Sequence, residues 1–491
     1  MSLAAGEKLG PFEIGARLGV SGTGEMYRAR DTRLERTLAI KILPARLSNG
    51  AVREQRFERE AKTIPSLNHP HICVLRDIGS QDGVDYLVME SQMNNPRMLT
   101  NIAAVAALAC FLATPLIAQG PAGIREMYDG AMRPDVAVKT LENSDKLFPV
   151  SMVERGGAVR ELPAAKAPLK NVHFEAKGKE YDLFDYLALN RVAGLLILKN
   201  GDVVLEDYEL GIGPDTRWPS FSMAKSVSST LIGAALQDGS ITSLDDPVTK
   251  YVPSLKGGAY EGVTVRNVIQ MASGVKWDET YTDPSSDRRK LLEIQLQKKA
   301  DTILPFMSAL PRAGAPGTIW NYNTGETFVV GAVVEGATHR SLATYLSERI
   351  WSRWGMEHEA TWWLESPNGM VWGGGGLSAT LRDFGRIGLL VLADGVIDGK
   401  RVVPQRWFDE AGSAKEIGGK RVEYGYLWWT YPNGNPVHEE AFEARGIFGQ
   451  HMYINRREKL VIVVLSARSK PTGSTVVDDG AFFGAVAKAL Q

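Results

Sequence analysis

Short apolar runs separated by polar turns mark both ends of the larger part of this chain. Leu195-Leu196-Ile197-Leu198, the turn Asn200-Gly201 and Val203-Val204-Leu205 predict a β-hairpin. Met452-Tyr453-Ile454 and Leu460-Val461-Ile462-Val463-Val464-Leu465 predict a second hairpin, joined by a charged turn, and Ala481 to Leu490 has helical apolar spacing. Between these ends, from Ala224 to about Leu392, the pattern is mostly helical and broken by loops. Strands at both ends with helices between them predict an α/β (α+β) architecture. Its antiparallel sheet is closed by the two ends of the segment and flanked by helices, with a helical domain inserted.

A different pattern precedes this segment. Met93-Asn94-Asn95-Pro96-Arg97-Met98 is a short basic start, the apolar run extends from Ile102 to Ala113, and Leu116-Ile117-Ala118 offers a cleavage site before Gln119. That order is the architecture of a secretory signal peptide. A lipoprotein reading at Leu108-Ala109-Cys110 is weaker, because the apolar stretch before it is too short. The alternative is an uncleaved anchor that brings residues 101–118 into contact with a membrane, near the lower length limit for spanning. Arg97 and the basic residues upstream then keep the N-terminal side in the cytoplasm. On either reading the segment from Gln119 onward is exported, periplasmic or secreted.

Length and composition add boundaries and exclusions. A chain of 491 residues predicts about three segments, here 1–92, 93–119 and 120–491. Apolar content of 44% and charged content of 23% describe ordinary globular protein, and a formal net charge of -1 gives no electrostatic reason to expect nucleic acid as a partner. The two cysteines, Cys73 and Cys110, both fall early, so nothing after Cys110 holds a disulfide or a thiolate metal site. The seven histidines are scattered without paired-ligand spacing. The chemistry expected is therefore free of metal and cofactor, with carboxylate-only metal sites left as the alternative.

Ser222-Met223-Ala224-Lys225 carries that chemistry. The serine follows the extended run Arg217-Trp218-Pro219-Ser220-Phe221 and leads into Val227, Leu231, Ala234 and Ala235 at helical spacing, with Gly239 as a stop. A serine at the first turn of a helix and a lysine three residues on share one face. A lysine crowded into an apolar cleft loses its proton more easily, and the neutral amine takes the proton of the hydroxyl. A second copy, Ser273-Gly274-Val275-Lys276, is followed by no helical pattern and reads as a turn.

Phe221-Ser222-Met223-Ala224-Lys225-Ser226, followed by a small-residue helix, resembles the serine β-lactamase/penicillin-binding-protein superfamily. The resemblance is to its class C-like branch, with the family VIII carboxylesterases and 6-aminohexanoate-dimer hydrolases. Leu244-Asp245-Asp246-Pro247-Val248, Val265 to Gly274, Gly373 to Ala379 and Gly425-Tyr426-Leu427-Trp428-Trp429 look like its connecting elements. The resemblance implies a Tyr-x-Asn motif, whose place is taken by Tyr322-Asn323-Thr324. Tyr322 is then the second acid–base group, expected to share or lose its proton below the free pKa of ~10 beside a lysine ammonium. Thr324 stands where the family has asparagine, in contact with substrate. The third motif, Lys-Thr-Gly or His-x-Gly, is absent, since Lys470-Pro471-Thr472-Gly473 carries an intervening proline and comes after the last strand. Its place falls to Ala444-Arg445-Gly446, where Arg445 substitutes for the cation. The backbone N–H groups of Ser222 and Ile447 are implied as the oxyanion hole. Tyr281 lies in a loop that borders the substrate cleft in the nylon-oligomer branch.

The first segment resembles the N-terminal lobe of a bacterial Ser/Thr protein kinase. Leu18 to Tyr27 looks like the glycine-rich loop, with Ser21 in place of its middle glycine and Met26 where valine is usual. Leu38-Ala39-Ile40-Lys41 matches the strand of the phosphate-pairing lysine, and Glu60 matches its helix partner. The match stops at Tyr86-Leu87-Val88-Met89-Glu90, with no catalytic loop beyond it. Asp383-Phe384-Gly385 spells the kinase magnesium motif but sits in a helical pattern with no catalytic loop before it.

The reading is a serine hydrolase of small esters or linear amides. β-Lactamase or D-amino-peptidase activity of the same fold, an ATP-binding regulator using Lys41 and Glu60, and a catalytically dead binding protein are the alternatives. Translation starting at Met93 would account for both the export signal and the stranded half-kinase. N-terminal sequencing of the natural product is expected to find no residue before Met93, and a mature protein beginning near Met1 would overturn that expectation.

Overall fold

A computed structural model of the chain describes residues 6–21, 24–33, 36–42, 75–81, 84–90 and 123–491. Two compact units divide it, Met1–Ile117 and Ala118–Gln491. In the first, six antiparallel strands lie in the order Lys8–Leu9, Phe12–Ser21, Gly24–Asp31, Arg36–Ile42, Val84–Glu90 and Leu75–Gln81. Phe12 and Ile14, Tyr27 and Ala29, and Leu38, Ile40 and Ile42 recur every second residue and form one buried face. Lys41 lies within its strand, in register with Met26 and Leu87. Glu60 and the segment 93–119 fall outside the described residues. No helix among the described residues is long and apolar enough to cross a membrane.

The second unit is built on six antiparallel strands in the order Asp202–Tyr208, Val192–Lys199, Leu460–Ser466, His451–Asn455, Ala441–Arg445 and Trp429–Thr430. Strand Val192–Lys199 pairs with Leu460–Ser466, so the two ends of the segment close the sheet. Asn200 and Gly201 take φ of 56° and 93°, the left-handed pair that a two-residue hairpin turn requires. Leu196, Leu198, Val461 and Val463 face one core, while Leu195, Ile197, Ile462 and Val464 face another beneath the helix Asp479–Ala489. Burial on both faces explains why these strands read as unbroken apolar runs. Between the ends stand the inserted helices, among them Met223–Gln237 and Glu326–Thr338. A four-stranded sheet of Trp218–Pro219, Leu377–Ala379, Ala360–Trp363 and Val150–Val153 accompanies them.

Asp383-Phe384-Gly385 opens the helix Leu381–Leu392, capped by Thr380. Its glycine serves close approach to the sheet. A Cβ at Gly385 would stand 2.5 Å from Leu196, and one at Gly388 would stand 2.4 Å from Val461. The Asp383 carboxylate accepts from the N–H of Glu357 at 2.8 Å, from that of His358 at 3.0 Å and from the Thr380 hydroxyl at 2.9 Å. It also meets Arg386 at 3.0 Å. Asp383 is therefore a buried structural anchor. Asp383→Asn leaves the buried Arg386 charge with only Glu357, and is expected to cost about 3 kcal/mol. Urea unfolding checks this, and a loss below about 1 kcal/mol, the range of an exposed ion pair, would contradict it.

Candidate active site

Strand Trp218–Pro219 pairs with Leu377–Ala379, and the Ser220 N–H donates to Leu377 O at 2.7 Å. Phe221 then turns the chain with φ of 45°, a left-handed conformation costing an aromatic residue roughly 1 kcal/mol or more. Its ring is held 4.8 Å from that of Phe448 and 6.2 Å from that of Trp363. The helix begins at Met223, so Ser222 sits at its N-terminal boundary. Its hydroxyl makes no capping bond and is left for the cleft.

One turn on, Lys225 returns to the same face. Its Nζ donates to Ser222 Oγ at 2.8 Å and to the Gly374 carbonyl at 3.0 Å. Lys225 is 1% exposed. Burial brings its pKa down to about 7; the Glu279 carboxylate opposes this and the Arg288 guanidinium adds to it. The amine is thus available as a free base near neutrality. Gly373 and Gly374 allow the carbonyl to approach, since a Cβ at either would stand 2.2 Å or less from Thr327.

Tyr322 completes the triangle. Its hydroxyl comes near enough to the Ser222 side chain for that group to lower the phenol's pKa, and its ring lies 5.1 Å from Lys225 Nζ. The ring stacks on Trp429 at 5.5 Å and meets Tyr424 edge-on at 6.0 Å. The depression expected for its pKa is overturned by this environment. Burial drives it up, Glu279 reinforces this, and the Ser222 side chain and the charge of Arg288 only partly offset it. A phenol in this setting keeps its proton and is suited to donate it.

Strand Ala441–Arg445 leads to Gly446, where a Cβ would stand 2.6 Å from Ser220 O. Glycine lets the strand end reach the turn before Ser222, and Ile447 then lines the cleft beside that serine. Among the described residues, neither the Ser222 nor the Ile447 N–H donates to a protein acceptor. Two free backbone donors flanking a hydroxyl can stabilise a tetrahedral oxyanion. Arg445 turns elsewhere, with its Nη2 2.6 Å from Glu443 and its guanidinium 5.2 Å from the Trp429 ring centre. It lines a neighbouring groove with Trp320 and Trp429.

The cleft around Ser222 also brings in Thr324 and Tyr281. The Thr324 hydroxyl donates to Glu279, as does its N–H at 2.9 Å, so this residue fixes a carboxylate. Tyr281 lies 6.0 Å from the ring of Tyr128. Ser273, in the second Ser-x-x-Lys, is buried and donates to Glu326, while Lys276 is exposed. Sequence reasoning missed Glu279, Arg288 and Tyr128. No local motif marks them, because each meets the site only through folding; the Gly373–Gly376 run was the one visible signal for Gly374.

A family model described as Beta-lactamase matches residues 189–485. The 6-aminohexanoate-dimer hydrolase of Paenarthrobacter ureafaciens is 31% identical over 293 residues, covering 56% of this chain and 72% of that protein. A putative 6-aminohexanoate-dimer hydrolase from Bacillus anthracis shares the fold, at 23% identity with a TM-score of 0.63, covering 72% of this chain and 92% of that one. The N-terminal segment is similar to the Ser/Thr kinase PknD of Mycobacterium tuberculosis, 38% identical over 84 residues, which cover 17% of this chain and 13% of that kinase. With more than half its length matched by one family model, this chain belongs to the beta-lactamase family, a superfamily of serine hydrolases, and carries a kinase-like segment ahead of that domain.

Proposed function

We propose that the enzyme hydrolyses small esters or linear amides through an acyl-enzyme on Ser222, with Lys225 and Tyr322 moving the protons. The carrying observation is the 2.8 Å contact between the Ser222 hydroxyl and an amine whose pKa burial lowers to about 7. Ser222 Oγ attacks the carbonyl carbon while Lys225 takes its proton. The displaced electron pair collects on oxygen, facing the N–H groups of Ser222 and Ile447, each supplying about 3 kcal/mol of transition-state stabilisation. As the carbonyl re-forms, the bond to the leaving group breaks and Tyr322 gives that group its proton. The tyrosinate recovers a proton from the Lys225 ammonium, whose Nζ lies 5.1 Å from its ring, while Ser222 Oγ is held in the acyl ester. Water then attacks the acyl-enzyme, its proton passing to the same pair, and the acid departs with Ser222 restored.

Linear amides are included on the strength of the Paenarthrobacter relative's name. β-Lactams are disfavoured because the Lys-Thr-Gly cation is absent and Arg445 is committed to Glu443. We also assign the working enzyme to an exported location, on the signal-like composition of residues 93–119.

p-Nitrophenyl butyrate, a chromogenic cephalosporin and an aminohexanoate dimer test the reading together. Ser222→Ala is expected to reduce ester turnover at least about a thousandfold and to abolish the acyl adduct on Ser222 seen by mass spectrometry. Unchanged turnover would end the proposal. The pH profile is a second check. Below its pKa Lys225 is an ammonium and accepts no proton, so kcat/KM should rise about tenfold per pH unit up to roughly 7 and level off above it. A limb placed near 10 instead would show that the amine is not the base.

A further inference from the structure

The cleft contains a cation that, among the described residues, faces no carboxylate at ion-pair distance. Arg288 lies on the helix Asp287–Leu296, seven residues before Gln295 and therefore on the same face two turns away. Arg288 is 2% exposed and Gln295 is 1% exposed, yet both line the cleft that holds Ser222. The guanidinium stands 4.4 Å over the Tyr128 ring and gives one N–H to the Tyr128 hydroxyl. Its Nε and Nη1 have no hydrogen-bond partner, and neither does Gln295 Oε1. Among the described residues Arg288 makes no ion pair with a carboxylate, whereas its neighbour Arg289 meets Asp129 at 2.7 Å. Glu279, whose field reaches the same group of side chains, is held by Thr324 and by Trp277.

A buried charge without a counter-charge is strongly destabilising, and folds normally pair it or exclude it. A guanidinium that keeps N–H donors free after its one bond to Tyr128 is the chemical complement of a carboxylate, whose oxygens accept charge-assisted hydrogen bonds. Gln295, whose amide can rotate to present either its NH₂ or its oxygen, adds a second polar contact beside it. The direction of the substrate is set by the proton donor. Tyr322 must face the leaving group, and its ring stacks on Trp429, which lines the neighbouring groove. The leaving group therefore lies toward that groove, and the acyl part enters the cleft toward Arg288.

We propose that Arg288 binds a carboxylate at the far end of the acyl chain, so that the preferred substrates are half-esters or half-amides of dicarboxylic acids. Hydrolysis then adds water across the acyl bond and releases a dicarboxylate and an alcohol or amine. The assignment rests on the hydrolase reading above and narrows its substrate class.

The test compares mono-p-nitrophenyl glutarate with p-nitrophenyl butyrate, esters of similar length that differ in the terminal carboxylate. Measurements at pH 9 keep Lys225 as the free base whether or not the Arg288 charge is present. Wild type is expected to favour the glutarate ester at least tenfold in kcat/KM, and Arg288→Gln to bring that ratio to about one. A wild-type ratio near one, or a ratio that Arg288→Gln leaves unchanged, would overturn the proposal while leaving the hydrolase reading intact. If neither ester is turned over and Ser222 is never acylated, it is the hydrolase reading that fails. Should Arg288→Gln not fold by circular dichroism, inhibition of wild-type butyrate hydrolysis decides. Glutarate competing at least tenfold more tightly than glutaramide supports the proposal, and equal inhibition refutes it.

Discussion

Burial of a single amine sets the terms for the rest of this site. Lys225 has one hydroxyl and one carbonyl as neighbours at hydrogen-bond distance and almost no access to solvent. Desolvation penalises its charged form, which is what turns an ordinary lysine into a base near neutrality. Enclosing that amine requires the helix Met223–Gln237, the glycine run that brings the Gly374 carbonyl close, and the aromatic platform under Tyr322. The site is a locally unfavourable arrangement that the surrounding apolar core holds in place.

Charge around the triangle is balanced rather than absent. Glu279 favours the ammonium form of Lys225 and the protonated form of Tyr322, while Arg288 acts in the opposite sense on both. Thr324 fixes the first of these groups with its hydroxyl and its N–H. Several other buried ions of the unit are paired. Asp383 meets Arg386, Glu443 lies between Arg445 and His451, and Asp479 meets both His451 and Arg468. Against that background the free donors of Arg288 stand apart, and they face the cleft where acyl chemistry would occur. Arg445, by contrast, is held in one of those pairs.

The described strands of the N-terminal unit run as far as Val84–Glu90, in a segment similar in sequence to a Ser/Thr kinase. The sequence beyond it carries no catalytic loop, and the Asp383-Phe384-Gly385 triplet is consumed by packing. Its glycine touches the sheet and its aspartate binds backbone, which accounts for the groups that the magnesium motif would need. A short motif acquires chemistry only from its surroundings. Ser273 and Lys276 make the same point, one tied to Glu326 and the other in solvent.

Local signals determined much of this protein. The hairpin at Asn200-Gly201, the unbroken strands at the two ends and the Ser222–Lys225 spacing depend on backbone preference and helical periodicity, which act within a few residues. These were enough to specify a sheet closed by its ends and a serine beside its base. Tertiary structure alone decided the protonation states and the partners. Tyr322 keeps its proton because burial outweighs the nearby amine, a balance that spacing does not encode. Glu279, Arg288 and Trp429 reach the site from a loop, a helix and a strand, and Arg445 turns toward Glu443 because strand alternation brings the two together. Electrostatic fields and desolvation depend on distances through space, and only the folded chain sets those distances.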